Sequence, residues 1–254
     1  MIVFPMAGLS HRFFREGYDV PKYMLPLAGR VAFDFSIASF MNYIEQETFF
    51  FICRDVYGTP RFVQERLEKL GVRNFEIVVL DAPTAGQAET VLKGIEAANV
   101  SDTEQLTIFN IDTFRLDMPN YRNTKSAGCL EVFHGKGDNW SFVEPINSTR
   151  LVARTTEKDP ISDLCSTGLY YFSAAKEFCI SYDEEMNNRT TQQNEHYIAP
   201  IYNQMIRRGL EVSYNEVELR KIIFCGIPAE YRRLLADTSV IAPLTAQLKT
   251  RFAL

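Results

Sequence analysis

The sequence predicts an α/β fold: a mainly parallel sheet flanked by helices, with a small antiparallel insert, in a chain of 254 residues. Two observations carry this. In the first half, short apolar runs alternate with longer amphipathic ones, which is the order that parallel crossover connections require. In the middle, four short strand-like runs follow one another with turn residues between them and few helical signals. The length fits one of the larger α/β domains and lets the chain bury roughly three quarters of its unfolded surface. With 46% apolar and 23% charged residues, the composition is that of a globular protein. Whole-chain disorder, collagen-like repeats and coiled coil are excluded.

Residues 1–6 (MIVFPM) read as a buried strand, because the run is apolar without alternation. The loop after it carries Gly8, Gly17, Pro21 and Pro26, all poor in regular structure. Residues 33–44 read as a helix, 49–53 as a strand, and 60–70 (PRFVQERLEKL) as a helix stopped by Gly71. Residues 75–80 form the third expected strand. A turn with Pro83 and Gly86 leads into a helix over 87–98, and 106–111 is the fourth strand. The antiparallel insert is expected from 128–133, 140–144, 150–155 and 168–172, lying over one edge of the parallel sheet. Helical patterns return at 173–180 and 194–208, strands at 211–214 and 221–224, and Pro228 opens a last helix. No linker, internal repeat or hexapeptide series is visible, so a fused left-handed β-helix is excluded and one domain over 1–254 is expected.

The net charge of −5 and pI of about 5.4 provide no basic surplus for a nucleic-acid backbone. A local basic pocket for a small phosphate ligand stays open. The five cysteines form no C-x-x-C pair and the three histidines are far apart, which argues against a zinc ribbon or disulfide framework and for free thiols. The apolar start is too short for a signal-peptide core, and no run approaches the roughly 20 apolar residues of a membrane span. A cytoplasmic protein without membrane or nucleic-acid partners is expected.

Segment 3–29 (VFPMAGLSHRFFREGYDVPKYMLPLAG) is the most informative. A loop after a buried parallel strand leaves backbone N–H groups at the strand's carboxyl end, where α/β sheets bind ligands. Gly8 allows close backbone approach to a phosphate, Arg12 can fork onto phosphate oxygens, and Lys22 adds a compact charge. The alternative is a tight turn with two surface cations.

This segment resembles the signature of the sugar-1-phosphate nucleotidyltransferase family, L-A-A-G-x-G-T-R-F followed by P-K-x-L-x-P-x-x-G. Here it reads Met6-Ala7-Gly8-Leu9-Ser10-His11-Arg12-Phe13, then Pro21-Lys22 and Leu25-Pro26-Leu27-Ala28-Gly29. It is most similar to the branch with Gly-Tyr in the spacer, here Gly17-Tyr18, and departs from the pattern at Ser10, where the family has glycine. Later segments match in order. Residues 83–90 (PTAGQAET) resemble the stretch that reads the nucleobase, and the Gln87 amide suits a pyrimidine edge. Residues 109–113 (FNIDT) resemble N-x-D, whose Asp, here Asp112, binds Mg²⁺. Glu157-Lys158 is similar to the pair that holds sugar hydroxyls and the acceptor phosphate, and 166–172 (STGLYYF) to the strand lining the sugar site.

The resemblance implies a Rossmann-like nucleotidyltransferase fold, also seen in glycosyltransferases, with a nucleotide-binding half over about 1–115 and an acceptor-binding half over about 116–254. It implies an Mg²⁺-dependent reaction of an NTP with a sugar 1-phosphate, giving an NDP-sugar for polysaccharide biosynthesis and pyrophosphate. Ala7, Gly8, Ser10, Arg12, Lys22 and Gln87 would bind nucleotide. Glu157, Lys158, Gly168 and Glu195 would bind acceptor, with Asn203 facing it and Gly168 leaving it space. Arg12, Lys22, Asp112 and Lys158 would be catalytic, and Asp112 the metal ligand. A helix-capping role for Glu195 is an equal alternative. The segment 222–230 (IIFCGIPAE) resembles D-x-G-T-P-E-D but has Phe224 where the second metal-binding Asp belongs, so either another carboxylate replaces it, with Glu216 and Glu218 nearby in sequence, or Asp112 and the phosphates alone would hold the metal. A CTP-dependent cytidylyltransferase for a phosphorylated non-sugar acceptor, a nucleotide-binding relative without turnover, and a glycosyltransferase are the alternatives. The resemblance leaves nucleotide, acceptor and a homo-oligomeric state open.

Overall fold

The computed structural model describes residues 1–119, 121, 124–188 and 195–251. Its centre is a nine-stranded sheet. Four strands are parallel in the order β6-β1-β4-β5: β1 (Ile2–Pro5), β4 (Phe49–Arg54), β5 (Phe75–Leu80) and β6 (Leu106–Phe109). The chain leaves β1 toward β4 and β5, then returns to β6 on the other side of β1. The order therefore reverses at β1, and a crevice opens between the carboxyl ends of β1 and β6.

Alternation along β4 explains why its apolar run is unbroken. Phe49 and Phe51 enter one core with Phe4, while Phe50 and Ile52 enter a second core with Val3. The first is covered by α2 (Ala32–Ala38), α3 (Thr59–Lys69), α7 (Pro228–Ala236) and α8 (Ala242–Arg251). The second is covered by α4 (Gln87–Ala98), α5 (Ala175–Asn188) and α6 (Tyr202–Arg207). Among the described residues no helix is long and apolar enough to cross a membrane.

The predicted insert does not lie over the sheet; it extends it. Strand β11 (Leu164–Phe172) pairs antiparallel with β6 through Leu169–Phe172 and with β8 (Gly128–His134) along its other edge. At Cys165 it meets β9 (Ser141–Pro145), which carries β10 (Val152–Glu157), and β12 (Val212–Glu216) runs parallel to β8. Three helical expectations change. Residues 33–44 split into α2 and a 3₁₀ turn over Met41–Tyr43. The pattern over 194–208 shrinks to a 3₁₀ turn over Ala199–Ile201 and α6, with Asn194 outside the described residues; Pro200 suits the first turn of a helix but not its interior. α8 follows the helix that Pro228 opens.

A buried ion pair fixes the strand beyond Asp112 to the antiparallel strands. Strands β7 (Thr113–Arg115) and β13 (Ile222–Phe224) form a two-stranded sheet. The Arg115 guanidinium donates to both carboxylate oxygens of Glu131 on β8, at 2.9–3.1 Å, with side chains 5% and 1% exposed. The Tyr121 and Thr167 hydroxyls donate to the same carboxylate at 2.6 and 3.2 Å. Glu131→Ala strands the guanidinium and should destabilise the fold by about 3–5 kcal/mol in urea unfolding followed by circular dichroism. A loss below about 1 kcal/mol, the range of an exposed pair, would contradict this account.

Candidate active site

A cavity of about 460 Å³ occupies the crevice at the carboxyl ends of β1 and β6. Its walls are the loop 5–9, Lys22, the loop 83–87, residues 110–112 and, from the other half, Glu195 and Tyr197. Ala7 and Gly8 lie on the first loop, and a Cβ at Gly8 would meet no protein atom within 4 Å. Ser10 turns the chain with φ 51°, and its hydroxyl accepts the Lys22 N–H at 3.2 Å. That bond ties the two ends of the signature segment. Arg12 is exposed on α1 (His11–Arg15), outside the cavity wall but close enough to act electrostatically on Tyr197.

The Lys22 ammonium is ion-paired with Asp112, both partly buried. Beyond Asp112 comes Gly226, where a Cβ would stand 2.8 Å from Asp112 Oδ2 and 3.8 Å from Glu230 Oε2. Glu230 accepts the backbone N–H groups of Gly226 and Ile227 at 2.8 and 3.2 Å, satisfying donors at the start of α7. Burial raises its carboxyl above the usual range; the two N–H bonds oppose this, Asp112 adds to it, and Lys22 opposes it. Burial likewise pushes the Cys225 thiol up to about 12, aided by the carboxylates of Asp112 and Glu230.

Neither expected replacement for the missing Asp is here. Glu216 pairs with Arg150, and Glu218 is exposed and pairs with Arg220. Glu216 ends β12, which joins β8 two strands beyond β6, and Glu218 lies just after it. The carboxylate beside Asp112 is Glu230. Phe224 packs against Trp140 and Phe133, with ring centroids 5.0 and 5.6 Å apart. The donors fit Mg²⁺: hard carboxylate oxygens, one already facing a cation. Among the described residues no three His, Cys, Asp or Glu side chains form a metal-holding group. Nucleotide oxygens and water would therefore have to complete the coordination.

Gln87 opens α4 and lines the cavity, but its side-chain amide donates to Asn110 Oδ1. Asn110 in turn fills the space beside Gly168, where a Cβ would come within 2.2 Å of its Nδ2. Gly168 therefore leaves room for Asn110, not for an acceptor as expected. It also carries φ +89°, a conformation that glycine tolerates and other residues resist.

On the far side, Glu157 ends β10 and accepts from Ser141; burial raises its carboxyl above the usual range. Lys158 follows in a left-handed conformation (φ 57°), its N–H donating to Trp140 O at 2.9 Å. Its ammonium donates to the Tyr197 hydroxyl and lies 4.6 Å from that ring's centre. Tyr197 donates to Glu195, which is 4.0 Å from the Lys158 ammonium. Glu195 thus has a side-chain partner across the cavity mouth, and the following 3₁₀ turn is capped at Ile198. Asn203 does not face an acceptor: its amide spans the N–H and C=O of Thr155 at 2.8 and 2.9 Å.

Sequence reasoning missed Tyr197 and Glu230. Tyr197 stands two residues after Glu195, within a segment read as a helix. Glu230 was visible three residues after Ile227, the spacing of an N-terminal helix cap.

Several solved structures are similar to the whole of this fold. A crystal structure of a nucleoside-diphosphate-sugar pyrophosphorylase from Vibrio cholerae RC9 is 44% identical, covering 93% of this chain and 100% of that one, with a TM-score of 0.88. The chain belongs to this family of nucleotidyltransferases. The inositol-1-phosphate CTP transferase from T. maritima shares the fold at 16% identity, covering 98% and 95% of the two chains, with a TM-score of 0.70. A UDP-glucose pyrophosphorylase complexed with UDP-glucose does so at 15% identity, covering 91% and 95%, with a TM-score of 0.69. No family model and no curated protein matches the chain.

Gly168→Ala should displace Asn110 and strain the backbone, destabilising the protein by about 1–3 kcal/mol. Thermal unfolding measures this, and an unchanged Tm would show that the Asn110 contact is not tight.

Proposed function

We propose that this enzyme joins an NTP to a sugar 1-phosphate, giving an NDP-sugar and pyrophosphate with Mg²⁺. The observation that carries the reading is the single cavity in which the Gly8 loop, Lys22 and Asp112 meet, with Lys158 at its mouth through Tyr197. Ala7, Gly8 and Ser10 would wrap the triphosphate, Gln87 would read the base from its Asn110-held position, and Arg12 would close onto the phosphates from the rim. An acceptor phosphate oxygen attacks the α-phosphorus; the new P–O bond forms as the bond to the β-phosphate oxygen breaks, and pyrophosphate leaves with that electron pair. Lys22 would pass from Asp112 to the phosphates and neutralise charge on the leaving group. Asp112, with Glu230 beside it, would hold Mg²⁺, which when bound offsets phosphate charge. Lys158 would bring the attacking phosphate in against its repulsion, and Glu157 and Glu195 would take acceptor hydroxyls. Positioning and electrostatics suffice for this chemistry, so no covalent enzyme intermediate is invoked. Consumption of NTPs and five free cysteines both suit a cytoplasmic setting.

The test is pyrophosphate release over a matrix of ATP, CTP, GTP and UTP with glucose, galactose, mannose and N-acetylglucosamine 1-phosphates, inositol 1-phosphate and phosphocholine. Turnover with a sugar 1-phosphate is expected. Turnover confined to phosphocholine and CTP would replace the sugar acceptor, and no turnover in any pair would remove the reading.

Arg12→Ala and Lys22→Ala should each cost about 1.5–3 kcal/mol in kcat/KM for the NTP, the range for charge-assisted hydrogen bonds. Unchanged values in both would contradict the triphosphate assignment. Asp112→Asn should abolish Mg²⁺-dependent turnover while leaving the unfolding transition in place. Retained activity would move the metal elsewhere.

A further inference from the structure

Residues 195–198 form a short strap that leads into the 3₁₀ turn at Ala199–Ile201. It is fastened to the opposite half of the cavity. Ala88 N donates to His196 O at 2.9 Å, and His196 N donates to Ala85 O at 3.0 Å. The fit is close: a Cβ on Gly86 would lie 2.5 Å from both the N and the O of His196. The His196 ring is anchored behind by Tyr182 at 2.7 Å. The strap therefore moves with the loop that carries Gln87.

Tyr197 projects from this strap into the cavity lining. Its hydroxyl accepts from the Lys158 ammonium and donates to Glu195, while its ring faces the same ammonium. A lysine has four rotatable bonds, and an unrestrained ammonium samples many positions. Two contacts from one rigid ring restrict it to one place, defined relative to the loop beside the nucleobase site. The hydroxyl bond and the ring contact act on the same charge, and both strengthen where water is thinned.

We propose that Tyr197 is a positioning residue that holds Lys158 in register with the bound nucleotide, so that acceptor phosphate is taken up where the α-phosphorus will be. This rests on the reading of Lys158 as the acceptor-phosphate cation. Tyr197→Phe keeps the ring and removes the hydroxyl bond; Tyr197→Leu removes both contacts.

The experiment uses the NTP–acceptor pair with the highest kcat/KM in the matrix above. It measures KM for each substrate, and kcat, in wild type, Tyr197→Phe, Tyr197→Leu, Lys158→Ala and the double variant Lys158→Ala/Tyr197→Phe. Thermal unfolding confirms that each is folded. Tyr197→Phe should raise acceptor KM about tenfold, the size of a hydrogen bond to a charged group, and Tyr197→Leu should raise it further. The NTP KM should stay within about twofold. Adding Tyr197→Phe to Lys158→Ala should cost nothing more, because the tyrosine acts through the lysine. If Lys158→Ala raises acceptor KM but neither Tyr197 variant does, or if the two effects add, the positioning role is overturned and the role of Lys158 stands. If Lys158→Ala leaves acceptor KM unchanged, or no pair turns over, both are overturned.

Discussion

The contact between Asn110 and Gly168 is the constraint on which the rest of the site depends. β11 has to serve β6 through its last residues, β9 through Cys165 and β8 along its other edge, and its pairing with β8 shifts between Ser166 and Tyr170. The shift is made possible by the positive φ of Gly168, and the space that the absent side chain leaves is taken by the Asn110 amide. Asn110 N also donates to Gly168 O at 3.2 Å. Because Asn110 then holds Gln87, one packed contact joins the parallel half, the antiparallel half and the loop 83–87. The two halves cannot slide past each other without breaking it.

Charge in the crevice is balanced before any substrate arrives. Asp112 and Glu230 flank Gly226, and Lys22 sits against Asp112. Both side chains are only partly buried, so a lone carboxylate or a lone ammonium here would carry a modest desolvation cost. The pair removes both penalties while keeping the ammonium at the end of a flexible stem. Incoming phosphate oxygens can replace the carboxylate around Lys22 only if something replaces Lys22 around Asp112. In the proposed reaction a divalent cation at Asp112 would supply that replacement as the nucleotide takes Lys22.

Much of this was legible in the sequence, and the parts that were not share a cause. The helix over Gln87–Ala98 and the strand over Phe75–Leu80 match their sequence boundaries, because each has a strong period and a clear start. The signature segment likewise named Gly8 and Lys22, and the later motifs Gln87 and Asp112, which the fold gathers into one cavity. What failed depended on neighbours remote in sequence. Gly168 looked like room for a ligand because nothing in the chain says that Asn110, 58 positions earlier by number (168 − 110), fills it. Asn203 looked like an acceptor ligand because its bond to the backbone of Thr155 spans 48 residues. Tyr197 was hidden within a helical period that Pro200 and the backbone bonds to residues 85 and 88 interrupt.

Phe224 shows how a motif can lose a residue without losing its site. An aspartate at the end of β13 would have to stand among Phe133, Trp140 and Ile222, where an unpaired carboxylate is costly. The phenylalanine instead closes that aromatic cluster with rings in tilted and edge-on contact at 5.0–5.6 Å. The motif's last acidic position is kept as Glu230, six residues on, where two backbone N–H groups at the start of α7 hold it. Helix starts favour negative charge, so this position supports an anion that the apolar cluster would reject. Apolar packing at Phe224 and charge at Glu230 are two halves of one arrangement. It keeps two carboxylates on either side of Gly226, and Gly226 keeps the space between them clear, since any side chain there would meet Asp112.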